Sequence, residues 1–290
     1  MQFLVYILIY PILWLISILP FRLLYLLSDV VYFFIYYIIG YRKKTVRENL
    51  AMALPHLSEK ERLIIEKKSF HHLCDMFLEM VKTMTISEKE INKRFKYTNL
   101  DVYLDLEKKN KSIALMCAHY ASYEWVLSIN NHITFKGYAI YKKIANRYFD
   151  KLVKDIRAKF NAYLITTKET KNCIKENNSN GILGVFGFAS DQTPRNGENL
   201  YWYSFMGIET PIHFGAEMLA KRYDMNVIFL KVKKVKRGFY EASFEVLSDD
   251  VKSVPNFKIS ETFIKKVEQQ IYEAPEYYLW THKRWKHKKQ

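Results

Sequence analysis

The chain has 290 residues, 49% of them hydrophobic and 16% aromatic, and a formal net charge of +15. That length carries a sizeable core, while 9 Gly and 7 Pro argue against long disordered linkers. Cys74, Cys117 and Cys173 are too scattered for a disulfide scaffold or a structural zinc site and fit a reducing compartment. The positive balance points to acidic partners: anionic lipid, an acidic carrier protein or nucleic acid.

From Phe3 to Gly40 only Arg22 and Asp29 interrupt an apolar run. A bilayer core needs roughly 20 apolar residues, so residues 3–19 and 21–39 are candidate spans, broken at Pro20 and Arg22. No basic leader and no small-residue cleavage site marks a removable signal. Arg42, Lys43, Lys44 and Arg47 follow, a cluster that belongs on the cytoplasmic side. Residues 1–40 thus read as a membrane anchor of hydrophobic helices and residues 41–290 as one cytoplasmic domain. The competing reading is a packed helix pair in which Arg22 and Asp29 find interior partners.

Residues 45–85 are helical in pattern. Ser58 with Glu61 three positions on is a capping signature, Pro55 ends the preceding helix, and Phe70, Leu73, Phe77, Leu78 and Val81 recur at helical spacing. The adjacent His71 and His72 point to different helix faces and read as interior or boundary residues. Beyond residue 98, strand patterns at 112–118, 138–142, 162–166, 181–188, 227–233 and 240–247 alternate with helical ones. The helices fall at 100–109, 120–131, 146–160, 168–176, 213–223 and 261–272. The expected fold is α/β, a mostly parallel central sheet flanked by helices, with the last two strands as an antiparallel edge pair.

Ligands of such sheets sit beyond the carboxyl ends of strands. His119 follows one strand pattern; Asp191 and Gln192 follow another. Histidine is a base near neutral pH, and the amino end of the helix at 120–131 would keep it neutral. Glu124 is the natural orienter if His119 lies outside that helix. Ser122 is close in sequence, but no covalent nucleophile is evident, so direct deprotonation of a substrate hydroxyl is favoured. No second His or Cys has zinc-site spacing nearby, and neither metal nor cofactor is expected.

With its neighbours, "HYASYE" resembles the His-four residues-Glu motif of the lysophospholipid acyltransferase superfamily, in particular its late acyltransferases of lipid A biosynthesis. "VRENLAMALPHLSEKE", "YKKIANRYFDKLVKDIRAKF", "GFASDQTPRNGE", "FMGIETPIHFGAEMLAKR" and "APEYYLWTHKRWK" resemble further segments of that family in order, although Lys142-Lys143 stands where the family usually has Arg-Pro. The resemblance implies a glycerolipid acyltransferase-like catalytic domain at the cytoplasmic face of the bacterial inner membrane. It implies acyl transfer from an acyl carrier protein to a hydroxyl on a 3-hydroxyacyl chain of a phosphorylated disaccharide lipid. By that likeness His119 is the base, Glu124 its partner, Arg157 an anion or oxyanion contact, and Asp191 and Gln192 site-organising residues. Lys142, Lys143, Arg147 and Arg195 are candidate cations for the lipid phosphates. The basic tail suits either anionic lipid or a solvated terminus. The expected partners are acyl carrier protein, anionic lipid and membrane, with no nucleic acid. Two alternatives stand beside this reading: another lipid acceptor (lysophospholipid, aminolipid or glycolipid), and a non-enzymatic basic protein of the membrane surface.

Overall fold

The computed structural model describes residues 2–194 and 200–289. Helices α1 (Gln2–Ile18) and α2 (Phe21–Phe33) meet at Pro20, and α2 runs on as a π-helical stretch, Phe34–Ile39. Helices α3 (Lys43–Ala53), α4 (Glu59–Lys82) and α5 (Glu88–Arg94) follow; α4 begins with the expected reciprocal Ser58–Glu61 cap. Next come β1 (Phe95–Tyr97), α6 (Leu100–Glu107), β2 (Ile113–Cys117), β3 (Lys136–Tyr141), α7 (Arg147–Ala158), β4 (Tyr163–Thr166), α8 (Thr170–Ser179) and β5 (Gly184–Ala189). A small hairpin of β6 (Tyr201–Phe205) and β7 (Ile208–Ile212) precedes α9 (Gly215–Tyr223), the long pair β8 (Asn226–Lys236) and β9 (Phe239–Ser248), and α10 (Lys258–Glu273).

Seven strands form one sheet in the order β1-β9-β8-β2-β5-β3-β4, parallel at every pairing except β8 with β9. The β8–β9 pair is antiparallel as expected. It is not the edge, because β1 adds outside β9; three residues are too short to register as an apolar run. Strand β2 lies between β8 and β5, and all five of its residues are buried, as befits a strand covered on both faces. Phe186, Phe229 and Phe263 fill the layers beside it; each fully buried phenyl ring contributes about 1.5–3 kcal/mol.

Segment 120–131 departs from expectation. After β2 the chain passes through turns, with Ala121 at φ 48°, and then a 3-10 helix, Trp125–Asn131. Backbone bonds explain the break. Ala121 N–H donates to Tyr277 and Leu279 N–H to His119, so the C-terminal tail pins the segment before an α-helix can start.

That tail is not a frayed terminus. Trp280, Arg284 and Trp285 are buried, and the Asn49 amide on α3 donates to the carbonyls of Trp280 and His282, both at 2.8 Å.

Helix α2 is long and apolar enough, with its π-helical extension over Phe21–Ile39, to cross a membrane. It is also a candidate anchor with a polar seam. Tyr25 Oη donates to Glu79 at 2.7 Å, Ser28 Oγ to Asp75 at 2.8 Å, and Asp29 accepts from Arg237 at 2.6 Å. Arg237 also reaches the fully buried Asp75 at 2.7 Å. Removing one partner of such a pair costs roughly 3–5 kcal/mol. Leu8 of α1 and Ile38 and Ile39 of the α2 extension are about two-thirds exposed.

Candidate active site

Strands β2 and β5 pair in parallel with Cys117 opposite Ala189. Two residues further along each strand direction stand His119 and Asp191, and the register brings them together. His119 Nδ1 lies 2.7 Å from Asp191 Oδ1, which also accepts the His119 backbone N–H at 3.0 Å. The Asp191 side chain is 1% exposed and that of His119 20%. A carboxylate accepting at Nδ1 fixes the proton there and leaves Nε2 as the basic nitrogen.

Burial alone lowers the imidazole pKa, but the charge and hydrogen bond of Asp191, with a smaller contribution from Glu124, outweigh it and leave His119 raised above its ordinary value. Asp191 shows the converse. Burial pushes its pKa up, and the charge and hydrogen bonds of His119 more than reverse this.

Glu124 is therefore not the hydrogen-bond partner of His119. It forms a two-pronged pair with Arg157 in the last turn of α7, Nε to Oε2 at 2.9 Å and Nη2 to Oε1 at 2.5 Å. Glu124 acts on His119 through charge, and Arg157 opposes it. The reason is local: without an α-helix after residue 119, Glu124 faces α7.

Among the other candidates, Lys142, Lys143 and Arg147 are exposed at the carboxyl end of β3, on the same end of the sheet as His119, without touching it. Gln192 is half-buried beside Asp191. Arg195 lies outside the described residues. Ser122 is buried and its hydroxyl has no hydrogen-bond partner among the described residues. Burial pushes the Cys117 thiol up to about 12, so it is no thiolate near neutrality.

His119 lines a half-open pocket of about 20 Å³, room for about one water, whose walls include Phe70, Leu73 and Met76 of α4, Tyr123 and the tail residue Leu279. His72 lines the same pocket. Around Asp191, His213 and His282 are held below their ordinary pKa by burial, His282 at about 4, and are neutral near pH 7. Sequence patterning gave His72 no site role, while His282 and Arg284 fall in the tail segment "APEYYLWTHKRWK" quoted above.

A histidine bonded to a buried carboxylate thus stands at the carboxyl ends of neighbouring parallel strands, where α/β folds place their ligands. The family model described as bacterial lipid A biosynthesis acyltransferase matches residues 1–287, and the chain belongs to that family. Its activity is accordingly acyl transfer in lipid A biosynthesis. That family is membrane-associated in bacteria, in keeping with the apolar stretch Phe21–Ile39. No curated protein matches the chain.

Proposed function

We propose that this protein transfers a fatty acyl chain from acyl carrier protein to a hydroxyl on a 3-hydroxyacyl chain of a phosphorylated disaccharide lipid, at the cytoplasmic face of the inner membrane. The observation that carries this reading is His119, bonded to Asp191 through Nδ1 and lining a pocket whose walls include Phe70, Leu73 and Met76.

His119 Nε2 takes the proton of the acceptor hydroxyl as its oxygen attacks the thioester carbon. The carbonyl electrons move onto oxygen. They then return as the carbon–sulfur bond breaks, and the leaving thiolate takes the proton from His119. Asp191 holds the ring and stabilises the imidazolium formed in between. Glu124 and Arg157 brace the wall beside Tyr123. Residues 1–40 serve as the anchor, and residues 41–290 as the catalytic domain. A surface of net charge +15 suits both an acidic carrier protein and a phosphorylated lipid.

The test is purified protein offered two donors, acyl carrier protein thioester and coenzyme A thioester, and two acceptors, a phosphorylated hydroxyacyl disaccharide lipid and a lysophospholipid. Transfer from the carrier protein to the disaccharide lipid is expected. Transfer to the lysophospholipid alone overturns the acceptor, and a preference for coenzyme A overturns the donor.

A further inference from the structure

Helix α1 is tied to the α/β domain at both of its ends. Near its start, the Phe3 and Tyr6 rings lie 5.2 and 5.6 Å from the ring of Tyr148, in the first turn of α7. At its end, Lys82 Nζ, in the last turn of α4, donates to the carbonyls of Ser17 at 2.7 Å and Leu19 at 2.8 Å. A helix of 17 residues is about 25 Å long, and both ends of this one touch the same domain.

The stretch Phe21–Ile39 is held in the same way. At its start the Arg94 guanidinium lies 3.4 Å from the centre of the Phe21 ring. Towards its end Tyr36 Oη donates to Glu66 of α4 at 2.8 Å. Between them run the bonds of Tyr25, Ser28 and Asp29 to Glu79, Asp75 and Arg237. A spanning helix is wrapped in lipid over roughly 30 Å. Carrying Asp29 into the middle of a bilayer would strip Arg237, and the fully buried Asp75 behind it, of their shared partners.

The flanks that face away from the domain are apolar. On α1, Leu4, Leu8, Ile12 and Leu15 recur at helical spacing and are 56–71% exposed. On α2, Leu23, Leu26, Val30 and Phe33 do the same at 47–61%. Exposed bases stand at both ends of the second stripe, Arg22 at its start and Arg42 and Lys44 beyond Gly40. An apolar stripe bordered by bases suits a helix lying along an anionic lipid surface.

We propose that α1 and α2 lie in the cytoplasmic leaflet without crossing it, their exposed stripes among the acyl chains of anionic phospholipid and their other flanks on the α/β domain. This rests on the reading of residues 1–40 as an anchor at the cytoplasmic face. Residue 2, residue 22 and the α/β domain then share one side of the membrane. A single span through Phe21–Ile39 would put residues 2 and 22 on the far side, and a spanning hairpin would put residue 22 there.

The test uses full-length protein in inner membranes. Cys173→Ser removes the one native cysteine that is not buried, and Gln2→Cys, Arg22→Cys and Lys108→Cys are then made singly. The Lys108 side chain, at the end of α6, is 76% exposed and reports on the domain. A membrane-impermeant maleimide is added to inverted vesicles and to intact spheroplasts. All three cysteines are expected to react in inverted vesicles and none in spheroplasts. Reaction at residue 2 or 22 in spheroplasts, or protection of either in inverted vesicles while residue 108 reacts, overturns the proposal. Recovery of the wild-type protein in the soluble fraction of broken cells overturns the anchor reading itself, and reaction at residue 108 in spheroplasts alone overturns its cytoplasmic placement. A purified dimer that fails to float with vesicles of phosphatidylglycerol and phosphatidylethanolamine assigns the stripes to a second copy of the chain and overturns the lipid as their partner.

Discussion

Asp191 Oδ1 meets His119 Nδ1 at 2.7 Å across 72 residues of chain, because β2 and β5 are neighbours in register. The carboxylate five positions on, Glu124, is taken instead by Arg157.

Asp191→Asn removes the acceptor that fixes the tautomer. It is expected to lower kcat by roughly 10²–10⁴-fold. It should also move the acid limb of the kcat/KM profile to lower pH. The base must be unprotonated, and in the wild-type protein Asp191 helps hold the His119 pKa above 6.5; without that charge the ring stays free at lower pH. A limb that stays put contradicts Asp191 as the partner.

Glu124 and Arg157 should behave as a unit. Glu124→Gln leaves a guanidinium that is 23% exposed without its carboxylate, and Arg157→Gln leaves the converse. Each single variant is expected to lose stability, and the double variant less than their sum, with a coupling of about 0.5–3 kcal/mol. Additive losses in denaturant unfolding would contradict a coupled pair.

Gly238, in the turn between β8 and β9, has φ +73°, and a Cβ there would come 1.9 Å from Tyr25 Oη on α2. Gly238→Ala should cost roughly 1–3 kcal/mol from the left-handed backbone, plus the displacement of Tyr25. Tyr25→Phe in that background should recover only the second part. Unchanged thermal unfolding in Gly238→Ala would contradict the close packing of α2 on the hairpin.

Burial raises the Glu79 pKa from 4.5 to about 7, against the pull of Lys234 and the hydroxyls of Tyr25 and Tyr240. A raised carboxyl pKa gives stability that is full below 4.5 and lost as pH rises through about 7. Glu79→Gln carries no such group, so its melting temperature should gain on the wild type across that window and run parallel above it. Parallel curves throughout would show that Glu79 titrates normally.

Much of the sheet was legible in the sequence because β2, β5 and β8 are apolar runs between helical patterns, and burial on both faces demands such runs. The β6–β7 hairpin was not read, although Met206 at φ 55° and Gly207 at φ 75° form the left-handed pair that tight hairpins use. Here Thr210 and Pro211 blur the alternation of β7. His119 and Asp191 were each recognisable as residues following strands. Their pairing depends on β2 lying beside β5, with β3 and β4 intervening in the chain, and one sequence does not encode that adjacency in any local pattern. His72 read as an ordinary helix residue for a similar reason: its distinguishing contact, Lys234, is 162 positions away. The helix at 120–131 failed because propensity gave way to bonds with a distant tail.

The most direct measurement is single-turnover acyl transfer by purified His119→Ala protein whose melting temperature matches the wild type. Loss of at least the roughly 10²–10⁴-fold contributed by a general base is expected. A rate near that of the wild type would remove His119 from the chemistry, and with it the catalytic role given to Asp191.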